Sequence, residues 1–231
     1  MQIIARPSPN YNDRTADVID LLVLHYTGMA SCEEALARLC DPAARVSAHY
    51  LIDEDGTVYQ LVKEECRAWH AGVSFWAGAR DINSCSIGIE LVNPGHERGY
   101  RNFPELQMWA LAELCREIVA RHPIAPHRVL AHSDVAPGRK RDPGELFDWE
   151  WLAGQGIGVW PAPVDSDAAS QPDILSLQTD LAGFGYDVPQ TGIYGVQTRA
   201  VVTAFQRHFR PNTVDGVADA ETAALLQHLL T

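Results

Sequence analysis

Apolar runs bounded by turn residues alternate with stretches of helical period along the first two thirds of the chain. Ile19 to His25 is a continuous apolar run closed by a histidine, the pattern of a buried strand. Ser31 to Cys40 has helical spacing, and Ser31 with Glu34 forms a capping box. Val46 to Ile52 and Thr57 to Val62 flank Asp53-Glu54-Asp55-Gly56, which predicts a hairpin. Ser86 to Val92 and Val129 to His132 are further strands. Between them, Pro104 to Arg121 carries Leu106, Trp109, Leu114 and Ile118 at helical spacing. Strands interleaved with helices predict an α/β domain over residues 1–152.

Residues 153–172 hold three glycines and three prolines with little periodicity, which predicts a linker. Beyond it, residues 173–231 are helical and repetitive. Gly192, Gly195 and Thr198 recur 24 positions later as Gly216, Asp219 and Thr222, each time ahead of an amphipathic helix. With a first helix near Asp173 to Leu181, this predicts a small all-α three-helix bundle. Asp219 replaces the second glycine, which suits a left-handed backbone. The bundle is expected to act as a separable tether, so a chain ending near Gly158 should keep its chemistry.

Composition narrows the classes. With 46% hydrophobic residues the chain can bury a core. No apolar run is long enough to cross a membrane. Thirty acidic against 18 basic residues, a net charge of -12, argues against nucleic acid as a partner. The first twenty residues lack the apolar stretch of a signal peptide. The five cysteines include no CxxC pair, so they read as small apolar side chains. Sixteen of the 18 basic residues are arginine; only Lys63 and Lys140 are lysine. Lys140, between Arg139 and Arg141, therefore marks a place where a compact ammonium is wanted and not a planar fork.

Candidate chemistry gathers at strand ends. His25 and His132 each close an apolar strand, where ligands bind in open α/β sheets. Asp142 follows ten residues after His132, across a loop that Pro137 and Gly138 can turn back. Two histidines and a carboxylate suffice for a catalytic zinc with one open position, although a strand-end histidine is often only hydrogen-bonded. Glu90 is a charge inside the apolar strand Ile87 to Val92: either the strand is an edge with Glu90 in water, or Glu90 does acid/base work. Lys140 would approach the same centre or sit in a solvated basic loop. His49, Tyr50, Trp69, His70 and Asn83 are candidate pocket residues, with core packing the other reading.

Several spaced motifs resemble one family in order. They are Leu-Leu-Val-Leu-His25-Tyr-Thr, Ser-Ala-His49-Tyr50-Leu-Ile, Arg-Ala-Trp69-His70-Ala-Gly, Asn83-Ser-Cys-Ser-Ile-Gly-Ile-Glu90, and His132-Ser-Asp-Val-Ala-Pro-Gly-Arg-Lys140-Arg-Asp142-Pro-Gly. Across residues 18–152 the chain resembles type 2 N-acetylmuramoyl-L-alanine amidases. The C-terminal part resembles a three-helix peptidoglycan-binding domain, through Leu177-Gln178, Gly185-Tyr186, Thr191-Gly192, Phe205-Gln206 and Asp215-Gly216, with Asp219 as the departure. The resemblance implies a mixed sheet flanked by helices, Zn²⁺ held by His25, His132 and Asp142, Glu90 as general base and acid, and Lys140 stabilising the transition state. It implies a peptidoglycan or muropeptide substrate, cut between the muramic lactyl group and L-alanine. His96 lies outside every matched motif. A non-catalytic peptidoglycan-recognition protein on the same fold, or a bundle that contacts a protein partner, are the alternatives. The wall-binding likeness points to the periplasm or envelope; a cytoplasmic role stays open because no export signal is visible.

Overall fold

A computed structural model describes residues 2–163 and 171–231. Its strands are β1 (Ile3–Ala5), β2 (Tyr11–Asp13), β3 (Leu21–Tyr26), β4 (Tyr50–Ile52), β5 (Val58–Gln60), β6 (Cys66–Ala68), β7 (Ser86–Leu91) and β8 (Val129–Ala131). The helices are α1 (Cys32–Leu39), α2 (Ile82–Cys85), α3 (Glu105–Arg121), α4 (His132–Val135), α5 (Trp149–Gly154), α6 (Ile174–Phe184), α7 (Val196–Phe209) and α8 (Ala220–Leu230). Six strands form one mixed sheet in the order β1-β5-β4-β7-β3-β8; β2 and β6 pair separately. Only the β4–β5 hairpin is antiparallel in the large sheet.

The apolar runs at 21–26 and 86–91 arise because β3 and β7 are interior strands covered on both faces. This settles the reading of Glu90: its strand is interior, flanked by β3 and β4, and not an edge. Alternation sorts the two faces. Leu22, Leu24, Ile87 and Ile89 pack under α3 with Leu111, Leu114 and Ile118. Leu21 and Val23 face the other way, toward the site and the C-terminal helices.

Two local expectations change. In α3, Leu106 and Trp109 are exposed, and the buried stripe runs through Met108, Leu111, Leu114, Cys115 and Ile118. At α1 the Ser31 hydroxyl accepts the Glu34 N–H as expected, but the Glu34 carboxylate reaches back to the Ala30 N–H.

The helices α6, α7 and α8 form the expected bundle. Its repeat has a physical cause in two buried glutamines. Gln178 accepts from the Thr191 and Gly192 N–H groups and donates to Ile193 and Thr198. Gln206 accepts from Asp215 and Gly216 and donates to Val217 and Thr222. Gly192 and Gly216 have φ of 72° and 69°, so glycine suits both turns. Asp219 does not use a left-handed backbone: its φ is -81°, and its carboxylate caps α8 by accepting the Thr222 N–H.

The bundle is not a free tether. Leu177, Leu181, Val201, Phe205 and Leu226 share one core with Leu21, Val23, Trp76, Leu130 and Val135 of the sheet domain. A chain ending near Gly158 would expose that face, so the expected independence of the two parts fails on packing grounds. The start of the expected linker is also packed: α5 runs to Gly154, Ile157 is buried, and Trp160 rests on the core. Residues 164–170 of that expectation lie outside the described residues.

Candidate metal centre and its cleft

The β3–β7 register sets the site. His25 and Glu90 are direct neighbours across the adjacent interior strands β3 and β7, so both project from the same face. β8 delivers His132 at its carboxyl end, as the first residue of α4. The loop from 136 to 142 folds back, and the Ser133 N–H donates to the Asp142 carbonyl at 3.0 Å.

Three buried ligand atoms converge there. His25 Nδ1 lies 2.8 Å from His132 Nδ1 and 3.1 Å from Asp142 Oδ2, and His132 Nδ1 lies 2.9 Å from that oxygen. Their hydrogen-bond partners fix the tautomers. The Ser86 hydroxyl donates to the Ile82 carbonyl, so its oxygen accepts the His70 Nε2–H at 3.1 Å. His70 Nδ1 is then bare and accepts the His25 Nε2–H at 3.0 Å. That leaves a lone pair on His25 Nδ1. The His132 Nε2–H donates to the Ala71 carbonyl at 3.0 Å, leaving a lone pair on its Nδ1 as well. Two imidazole lone pairs and a carboxylate oxygen thus face one another with no donor between them. Such an arrangement calls for a cation, and orienting the far nitrogen is how proteins prepare histidine ligands.

The donor set and size fit zinc. Donors about 2.0–2.2 Å from a tetrahedral ion stand roughly 3.3–3.6 Å apart. The three atoms, 2.8–3.1 Å apart, need to spread by less than about 1 Å to reach it.

Electrostatics agree. Burial, and then the neighbouring His132, push the His25 imidazole down to about 4. His70 lies well below its usual value for the same first reason, burial. Burial works to raise the Asp142 carboxyl, but His132 and His25 outweigh it and hold it below the carboxylate range. Glu90 goes the other way: burial, then Asp142, raise it well above the usual value, while Lys140 pulls it down. Its Oε2 is buried and has no hydrogen-bond partner.

Three buried imidazoles, His25, His49 and His70, are lowered and one carboxyl, Glu90, is raised and works in the opposite sense, so the net sign predicts acid sensitivity in the metal-free protein. His25 and His49, at about 4 and about 3 when folded, take up protons more readily once unfolded, near 6.5. Stability is therefore lost as pH falls through and below 6.5 toward 4. Metal-free protein should melt at a clearly lower temperature at pH 5 than at pH 7.5. Equal melting temperatures would mean that the imidazoles are solvated or that Glu90 cancels them.

The expected residues take distinct places. Glu90, Lys140, Trp69, His70, His132 and Asp142 line one cleft of about 500 Å³. Lys140 makes no side-chain ion pair among the described residues, and its charge acts on both His25 and Glu90. Arg139 is tied up: its Nη2 donates to the Ala71 and Val73 carbonyls at 2.6 and 2.7 Å, bracing the turn that holds His132. His49 is buried behind the cleft, where Gly88 N–H donates to its Nδ1. Asn83 sits beneath the turn, and its Oδ1 accepts the His70 and Ala71 N–H groups. Tyr50 does not belong to the pocket. It points to the opposite face of the sheet, into the core with Ile52 and Ile89, and its hydroxyl donates to Glu64. Gly88 has a packing reason: a side chain there would collide with the His70 ring.

The motifs missed part of the cleft wall. His96 and Arg98 line it, beside Tyr26 of the first motif. His96 Nδ1 lies 2.9 Å from the Tyr26 hydroxyl, its Nε2 lies 3.2 Å from Glu145, and its ring stacks on Tyr100. The available signal was position: Pro94-Gly95-His96 follows the strand that carries Glu90.

Comparison with known proteins agrees with this geometry. The family described as N-acetylmuramoyl-L-alanine amidase matches residues 14–145, and a peptidoglycan binding domain matches residues 170–226. The N-acetylmuramoyl-L-alanine amidase AmiD of Escherichia coli is 42% identical over 231 residues, covering 92% of this chain and 82% of its own. The 1,6-anhydro-N-acetylmuramyl-L-alanine amidase AmpD of Haemophilus influenzae is 36% identical over 62% of this chain and 86% of its own. The structure of E. coli AmiD in complex with the substrate anhydro-N-acetylmuramic acid-L-Ala-D-gamma-Glu-L-Lys superposes with a TM-score of 0.84, at 41% identity, over 95% of this chain and 92% of that one. AmpDh3 of Pseudomonas aeruginosa in complex with anhydromuramic pentapeptide also gives 0.84, at 34% identity and 95% of each chain.

Proposed function

The chain belongs to the N-acetylmuramoyl-L-alanine amidase family, and from that premise we propose that it is a zinc-dependent hydrolase of muropeptides and peptidoglycan, with His25, His132 and Asp142 as its metal ligands. The observation that carries the metal is the meeting of three acceptors without a donor. The scissile bond is the amide between the muramic lactyl group and L-alanine. The relatives' complexes with anhydromuramyl peptides support a substrate of that class. The peptidoglycan binding domain favours action at the envelope.

Bound zinc supplies a Lewis acid and brings deprotonation of water within reach of neutral pH. The chain's own groups do the rest. Glu90 Oε2, unpartnered and in the cleft, takes a proton from the attacking water. It then returns that proton to the alanine nitrogen, because an amide cannot leave as an anion. The Lys140 ammonium stabilises negative charge developing on the lactyl carbonyl oxygen.

Mass spectrometry on defined muropeptides tests this. The products should be a stem peptide with a free L-alanine amine and a muramic acid with a free lactyl carboxylate. Cleavage at another bond would sink the assignment. In the same assay Lys140→Ala should lower kcat and kcat/KM together while zinc stays bound, since its interaction belongs to the transition state. Lys140→Arg should rescue poorly. A wild-type rate in the Arg variant would reduce Lys140 to general positive charge.

A further inference from the structure

Asp134 is buried two residues beyond His132, and its carboxylate joins the two parts of the chain. Oδ2 accepts the Ala131 backbone N–H at 2.8 Å, fixing the end of β8 from which His132 departs. The same oxygen accepts the His208 Nδ1–H at 2.6 Å, and Oδ1 accepts the Tyr186 hydroxyl at 2.7 Å. His208 lies on α7 and Tyr186 just after α6, so both of these donors come from the C-terminal helices. Each ring is itself braced by the sheet domain. His208 stacks on Trp149 with centroids 3.8 Å apart, and Tyr186 meets Trp76 edge-on at 4.9 Å.

We propose that the C-terminal helices position the metal ligand His132 through Asp134, with Tyr186 and His208 as positioning residues. A buried carboxylate that loses its donors must find others or move. Movement here falls on the 131–135 segment, which aims His132 Nδ1 at His25 and Asp142. A domain serving only as a wall tether has no use for a buried hydrogen bond beside the catalytic loop. The inference rests on the assignment of His25, His132 and Asp142 as zinc ligands.

The test uses full-length protein: wild type, Tyr186→Phe, His208→Phe and the double variant. Both substitutions keep an aromatic ring and remove a donor. Zinc affinity is measured by chelator competition, turnover on a soluble muropeptide, and binding on insoluble sacculi. The double variant should hold zinc roughly tenfold more weakly, the low end for loss of outer support to a ligand. Its kcat should fall while sacculus binding is unchanged. Leu226→Ala is the control, because it opens the same core from α8, which gives Asp134 no bond. It should lower the melting temperature and leave zinc affinity alone. A folded double variant with wild-type zinc affinity and kcat overturns the proposal, as does equal zinc loss in Leu226→Ala. If the double variant does not fold, Tyr186→Phe decides alone. A wild type that binds no zinc would sink the ligand assignment and this inference together; normal wild-type binding with unchanged variants sinks only the inference.

Discussion

Removal of the metal is expected to reduce amide cleavage to the uncatalysed background, and Zn²⁺ to restore it. The three converging atoms of His25, His132 and Asp142 are all acceptors in the tautomers fixed by Ser86, His70 and Ala71. Nothing else in that cluster can polarise the lactyl carbonyl or generate a nucleophile at neutral pH. His132→Ala should lose both zinc and turnover, because two remaining ligands fall short of the three that a catalytic site uses. His25→Ala should do the same. His127→Ala, on the exposed surface, is the proper control. His96 is not, since it lies in the cleft wall despite standing outside the matched motifs. Metal content and turnover are measured on one preparation. Full activity in protein shown to be metal-free would end the zinc reading.

Glu90→Gln should give a folded, zinc-loaded protein with kcat at least roughly a hundredfold lower, the lower bound for loss of general acid/base help. The volume is nearly conserved, and β7 is held by its ladder to β3 and β4 whatever the side chain at 90. The amide cannot accept the water's proton, nor pass one to the leaving nitrogen. Removing the Glu90 carboxyl also relieves its repulsion with Asp142, so the variant should be no less stable than wild type. Zinc content, thermal melting and turnover check the three statements. A zinc-replete, folded Gln variant within a few-fold of wild type would remove the proton-shuttle role from Glu90. His70 would not inherit it readily, because both of its ring nitrogens are engaged by Ser86 and His25.

The sequence by itself determined five of the eight described strands, β3, β4, β5, β7 and β8, and the chemistry at their ends; the three-residue strands β1, β2 and β6 were too short to show a pattern. Short apolar runs bounded by turn residues read as strands, so β3 and β7 and the residues at their ends were legible from hydropathy, though not whether β7 lay at an edge. The ordered motifs around His25, Glu90, His132, Lys140 and Asp142 named the family and pointed to a candidate site. Single-residue spacing also contained what the reading of Tyr50 overlooked: with His49 and Leu51 on one face, Tyr50 belongs to the other.

Three matters were decided only by tertiary structure. Strand order placed β7 between β3 and β4, which turned Glu90 from an edge residue into a half-buried one beside His25, with its Oε2 out of solvent. Long-range hydrogen bonds chose the tautomers: the Ser86–His70–His25 chain spans residues far apart in sequence, and no local pattern encodes which nitrogen carries the proton. The docking of the C-terminal helices was likewise invisible. Local periodicity shows that Leu177, Leu181 and Phe205 need burial, but not that Leu21, Val23 and Trp76 supply the other half of their core. Hydrophobic burial is non-directional, so the pattern fixes which residues are inside, and chain topology fixes what they meet there.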